Sequence, residues 1–78
     1  MANQIVELDV RPILRRGEEP FSIIMDTVGK LQEGDSLVLH ATMKPVPLLK
    51  VLEGKGYRHE CEQLAEDHWK VTFEPMQA

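Results

Sequence analysis

Cysteine is nearly absent from the sequence, since Cys61 is the single thiol among 78 residues. One thiol forms neither an internal disulfide nor a multi-cysteine metal site, which agrees with a reducing compartment. No apolar stretch of about 20 residues is present, so no segment has the pattern of a membrane-spanning helix. Residues 1–4 have neither the basic nor the apolar region of a signal peptide. We therefore expect a soluble cytoplasmic protein.

Basic residues are also in deficit, with 9 Lys and Arg against 13 Asp and Glu and a formal net charge of -4. This mild acidity argues against generic binding to nucleic acid or to an anionic membrane. A chain of this length buries only about 60% of its unfolded surface. We expect one domain, residues 1–78, with a single two-layer core, which excludes a large multi-step enzyme.

Hydrophobic periodicity predicts the element order strand, helix, strand, helix, strand, strand. The predicted strands are 5–10, 36–41, 57–64 and 68–74. The first predicted helix begins near Glu18 and ends before Gly34, and the second spans 46–55. Residues 11–17 (RPILRRG) are predicted as a loop because they contain proline and glycine. The three residues 65–67 are predicted to connect the last two strands as a hairpin.

Two strand-helix-strand units predict parallel strands with both helices on the same side of the sheet. The final hairpin makes that sheet mixed, so the fold class is α/β, more narrowly a βαβαββ two-layer α+β sandwich. The last strand alternates clearly, which predicts that Trp69 is largely buried under Phe21, Met25 or Val28.

Four segments carry a family resemblance: LDVR (8–11), EEPF (18–21), GDSLVL (34–39) and KPVPLLKVLEGKGY (44–57). They resemble the domain of unknown function 2249 family, which in turn is similar to the TusA-like, or SirA-like, sulfur-carrier proteins. This resemblance implies the same sandwich with strand order 1-2-4-3.

The sulfur carriers bear a cysteine at the N-terminus of their first helix, where the helix dipole stabilises a thiolate or persulfide. Aligning Glu18, Glu19 and Pro20 with the family's proline-x-proline turn puts Gly17 at the position of that cysteine. The resemblance therefore implies that the fold is shared and that sulfur transfer at this position is not.

Adjacent parallel strands bring the loops that follow them to the same edge of the sheet, where open α/β sheets bind ligands. Cations beside helix N-termini attract carboxylate, phosphate or sulfate. The predicted ligand-binding residues are Arg11, Arg15, Arg16, Thr42, Met43 and Lys44. The predicted partner is a small acidic ligand or an acidic region of a protein. Solvated loop charge is the alternative, because Glu18 and Glu19 partly cancel the field.

Two other groups of residues carry side chains that react or bind metals in other proteins. Cys61 is predicted as a small buried hydrophobe, with a sulfur-relay or redox thiol as the alternative. His40 and His68, with a glutamate such as Glu60, are predicted as exposed strand residues, with a metal site as the alternative. Their spacing matches no metal motif, and no catalytic triad order, phosphate loop or dinucleotide fingerprint is present. We therefore expect a non-catalytic binding or interaction domain with no cofactor.

Overall fold

The structure is a computed structural model, and it describes residues 4–76. Its four strands are β1 (Ile5–Asp9), β2 (Ser36–Ala41), β3 (Tyr57–Ala65) and β4 (His68–Pro75). Its three helices are α1 (Arg11–Arg15), α2 (Phe21–Lys30) and α3 (Val46–Gly54). None of these helices is long and apolar enough to cross a membrane.

The strands form one mixed sheet with the order β1-β2-β4-β3, as predicted. β1 pairs with β2 in parallel, and β4 runs antiparallel to both β2 and β3. The β3-β4 hairpin turns through two residues, Glu66 and Asp67, because Ala65 already pairs with His68. The pairing register shifts between Gln63 and Ala65, which places an irregularity next to this turn.

The core lies between one face of the sheet and the helical layer. Alternate residues of the central strands β2 and β4 are fully inaccessible to solvent, as expected for strands that are covered on this face. From the sheet, the buried cluster includes Leu37, Leu39, Ala41, Val71 and Phe73. From the helices, it includes Ile24, Val28, Leu48, Leu49 and Leu52. α2 and α3 therefore pack on the same side of the sheet, which confirms the two-layer prediction.

Helix α1 corrects the prediction of a loop over residues 11–17 and raises the number of helices from two to three. Pro12 lies in its first turn, where the missing N–H would have no partner within the helix. The turn is closed by Leu14, whose N–H donates to the carbonyl of Val10 at 3.0 Å. Ile13 and Leu14 pack against the core, so tertiary contact stabilises a helix of only five residues.

Asp35 fastens the start of the chain to the segment before β2. Its side chain is buried, and its carboxylate accepts the backbone N–H groups of Gln4 and Gln32, each at 3.0 Å. The hydrogen bond from Gln4, followed by that from Gln32, lowers the pKa of Asp35. An ionised carboxylate is therefore part of the native pairing of β1 with β2.

Trp69 lies on the predicted face of the sheet and is partly buried there. Trp69 pairs with Ala41 on the core face of the sheet, but it is only half-buried and lies outside the buried cluster. Of the three α2 residues expected to cover it, Val28 is buried, Met25 is half-buried and Phe21 is 41% exposed. The buried residues of α2 begin at Ile24, about one turn after Phe21.

Gly17 and Gly29 are predicted to respond in opposite ways to replacement by alanine. Gly17 follows α1 with φ of 77°, a left-handed conformation that disfavours a β-carbon, and Gly29 lies on the exposed surface of α2. Neither added β-carbon would meet another atom within 4 Å, so backbone preference alone decides the sign. Gly17→Ala should lower the free energy of unfolding by about 1 kcal/mol, and Gly29→Ala should raise it by about 0.5 kcal/mol. Urea unfolding followed by circular dichroism tests both, and a shift of both variants in the same direction would contradict this account.

Candidate functional site

Three connections meet at the end of the sheet where β1 and β2 finish. α1 follows β1, residues 42–45 follow β2, and the turn formed by Glu66 and Asp67 joins β3 to β4. We call these three segments together the sheet end. α1 and residues 42–45 lie at the same edge because β1 and β2 are parallel neighbours, as predicted. The hairpin turn joins them because Trp69 of the antiparallel strand β4 pairs with Ala41, the last residue of β2.

Arg11 is held rigidly by Asp9. Its Nε donates to Oδ1 at 3.0 Å and its Nη2 donates to Oδ2 at 2.8 Å, a bidentate pair. The backbone N–H of Arg11 also donates to Oδ1 at 3.0 Å. The Arg11 side chain is the main cause that lowers the pKa of Asp9 to about 2. Arg11 therefore fixes the junction of β1 and α1, and its guanidinium is already engaged.

Arg15 and Arg16 are more exposed than Arg11, although Arg16 donates twice to Glu18 Oε1, from Nε at 3.2 Å and from Nη2 at 3.0 Å. Arg15 Nη2 lies 3.5 Å from Oδ2 of Asp67 in the hairpin turn, and Arg16 Nη2 lies 3.0 Å from Oε1 of Glu18. The two arginine side chains are 56% and 59% exposed. Exposed pairs of this kind contribute between about 0 and 1 kcal/mol, so a carboxylate or phosphate brought by a ligand can compete for either guanidinium.

Thr42, Met43 and Lys44 form the second predicted part of the site. Thr42 is half-buried, Met43 is 63% exposed, and Lys44 is exposed. Within residues 4–76, Lys44 has no carboxylate in ion-pair distance. Its backbone carbonyl accepts the N–H of Val46 at 2.9 Å, which sets the turn into α3. Residues 42–44 therefore present an ammonium and a thioether to solvent.

The first long helix begins later than predicted and already carries an anion at its N-terminus. α2 starts at Phe21, with Pro20 as its N-cap, rather than near Glu18. The Glu19 carboxylate accepts the N–H of Phe21 at 2.8 Å. A carboxylate at this position satisfies a free N–H and complements the helix dipole. The N-terminus of α2 is therefore closed by the chain itself, and ligand charge has to be met by the side chains of the sheet end.

His40 and His68 lie beside the sheet end on the open face, and β2 and β4 bring them together. His40 Nδ1 and His68 Nε2 are 2.8 Å apart, which is hydrogen-bond distance. Glu7 Oε2 lies 3.6 Å from the other ring nitrogen of His40. Desolvation, followed by the charges of Arg11 and His40, lowers the pKa of His68. Spacing along the chain could not reveal this pair, because it depends on the β2-β4 register.

Glu60, the carboxylate named in the alternative of a metal site, lies elsewhere on the open face. It pairs with Thr72, whereas His40 pairs with Lys70. Over residues 4–76, no three histidine, cysteine or acidic side chains are grouped so that they would hold a metal ion. The sequence reasoning also missed Asp67, which meets Arg15 from a distant part of the chain, and Asp9, although Asp9 lies only two residues from Arg11.

Cys61 lies on the core face of the edge strand β3. It is a free thiol, half-buried, and it packs against the buried cluster together with Tyr57. The ring of His59, two residues earlier, lies beside Phe73, with the two ring centroids 6.4 Å apart. This packing is typical of a cysteine that serves as a small apolar residue.

The Cys61 thiol is predicted to react slowly with a maleimide reagent in native buffer and quickly in urea. Partial burial against the core restricts approach of the reagent, and unfolding removes that restriction. The measurement is the labelling rate followed by mass spectrometry, with free cysteine as the reference. A native rate equal to that in urea would instead support the redox alternative.

The comparisons with known proteins agree with the resemblance in the sequence. The model of the family described as "Uncharacterized conserved protein (DUF2249)" matches residues 7–75. Neither the search of curated proteins nor the search of solved structures gave a match. The matched range includes all of the sheet end and nearly all of the sheet. The chain therefore belongs to the DUF2249 family of uncharacterized conserved proteins.

Proposed function

We propose that the protein is a cytoplasmic, non-catalytic binding domain that takes an acidic small molecule, or an acidic segment of a partner protein, at the sheet end. The assigned residues are Arg11, Arg15, Arg16, Thr42, Met43 and Lys44. The observation that carries this proposal is the exposure of Arg15 and Arg16, whose carboxylate partners Asp67 and Glu18 are exposed as well. An accessible guanidinium is suited to bidentate binding of a carboxylate, sulfate or phosphate group.

The six residues divide into different roles. Arg15, Arg16 and Lys44 supply the charged contacts, since their polar ends reach solvent. Arg11 supplies positive charge and rigidity, because Asp9 occupies its guanidinium. Thr42 and Met43 supply a hydroxyl and an apolar surface for the uncharged part of the ligand.

The charge balance of the sheet end favours a ligand with more than one anionic oxygen. Asp67 and Glu18 already neutralise the two exposed arginines in part, and a single weak carboxylate would only replace an equivalent partner. A dianion, or a run of acidic side chains, brings more than one anionic group to compete with Asp67 and Glu18 for the two arginines. Dicarboxylates and sulfate are therefore suitable probes.

Sulfate and succinate are predicted to shift the backbone amides of residues 11–19 and 42–49 in a nitrogen-15 NMR titration at low salt. The double variant Arg15→Ala/Arg16→Ala should weaken binding at least about tenfold, since two charged contacts are lost. Its free energy of unfolding should change by less than about 1 kcal/mol, because both pairs are exposed.

The matched control is Lys30→Ala/Lys55→Ala, which removes the same charge from the opposite end of the sheet. Lys30 ends α2 and Lys55 follows α3, and both lie near the starts of β2 and β3. This variant should bind both probes as the unmodified protein does. Equal losses in the two double variants would mean that net charge alone is sensed, and shifts confined to the open face would place the site elsewhere; either result contradicts the proposal.

A further inference from the structure

The hydrogen bond between His40 and His68 joins β2 to β4 next to the hairpin turn. The two residues are diagonal neighbours, because His40 pairs with Lys70. Their rings are tilted by 49°, with centroids 5.1 Å apart. A bond between two ring nitrogens needs one N–H and one lone pair. It therefore exists when the pair carries no charge or one positive charge, and it is lost when both rings are protonated.

Charged groups face the histidine pair from β1, α1, the hairpin turn and β4. They are Glu7, Asp9, Arg11, Asp67 and Lys70. Each ring nitrogen of His40 has a polar partner, namely His68 on one side and the Glu7 carboxylate on the other. A second proton would stand beside two cations, His40 and Arg11. Desolvation and these two neighbours lower the pKa of His68 below its usual 6.5.

We propose that the His40-His68 hydrogen bond is a pH-sensitive link that holds the hairpin turn in place, and that a second proton breaks it and frees Arg15 from Asp67. The histidine pair and the Arg15-Asp67 ion pair are close along the chain, since Asp67 directly precedes His68. Two N–H groups at 2.8 Å repel each other and push the His68 ring outward, taking the turn with it. The Arg15-Asp67 pair, already 3.5 Å long, is then lost.

The biological role of this link rests on the proposed function, because the released Arg15 belongs to the proposed binding surface. Acidification would then strengthen binding of an acidic ligand. The same titration sets the sign of the stability change with pH. The unfolded chain takes up the proton near 6.5 and the folded chain only at lower pH, so the free energy of unfolding falls as the pH drops through this interval.

The link is tested without any ligand by long-range NMR of the imidazole nitrogens between about pH 8 and pH 4.5. We expect His68 to titrate below its usual pKa of 6.5, with the amides of Glu66, Asp67 and α1 shifting together with it. His68→Gln keeps a side-chain N–H that can donate to His40 but does not titrate, so these amide shifts should disappear. His59→Gln, on the other face of the sheet, is the control and should retain them.

Amide shifts that do not follow the titration of His68, or that persist in His68→Gln, would overturn the link. Sulfate, whose charge is constant over this range, tests the coupling to binding. It should bind the unmodified protein at least about threefold more tightly near pH 5.5 than near pH 7.5, and this gain should be lost in His68→Gln. If the rings and amides titrate as described while sulfate binds at neither pH, the link is supported and the proposed function fails. If sulfate binds equally at both pH values, the coupling is overturned.

Discussion

The antiparallel pairing of β2 with β4 is the interaction on which the rest of the molecule depends. It aligns the fully buried residues Leu37 and Leu39 with Phe73 and Val71 to form the sheet side of the core. On the opposite face the same register brings His40 beside His68. At its end it carries the hairpin turn to α1, where Asp67 meets Arg15. A shift of one residue would reverse the two faces and lose all three arrangements together.

The four cations of the sheet end differ in how they are paired and in how exposed they are. Arg11 is bound twice by a carboxylate two residues away, and this local pair is part of the folded framework. Arg15 and Arg16 are paired at the surface, and Lys44 faces solvent. A count of cations in the sequence treats these four groups alike. The structure separates one that fixes the backbone from three that remain free to exchange partners.

The fold was predictable from the sequence to the extent that periodicity decides it. Alternation in β2 and β4, and the apolar stripe of α2, identify the buried faces without reference to the rest of the chain. α1 was missed because Pro12 and Gly17 are loop formers by composition, and only packing of Ile13 and Leu14 reveals a helix. The ends of β1 and β2 were correctly brought together, because parallel pairing alone determines that result.

The partners of the site residues were less predictable, since they depend on register and on chain direction. Asp67 is 52 residues from Arg15 in the sequence, and nothing local connects them. Trp69 shows the same limit for packing. Its face follows from alternation along β4, but its degree of burial depends on which side chains of the helical layer reach it.

The long edge strand β3 has a consequence for how copies of this chain behave in a crowded solution. Its nine residues leave one row of backbone groups without a neighbouring strand, an arrangement that invites another chain to add on. Exposed charges at Arg58, Glu60 and Glu62 oppose such stacking, and the irregularity between Gln63 and Ala65 breaks the flatness that an incoming strand would need. The strand that completes the core thus also protects a small protein from aggregation.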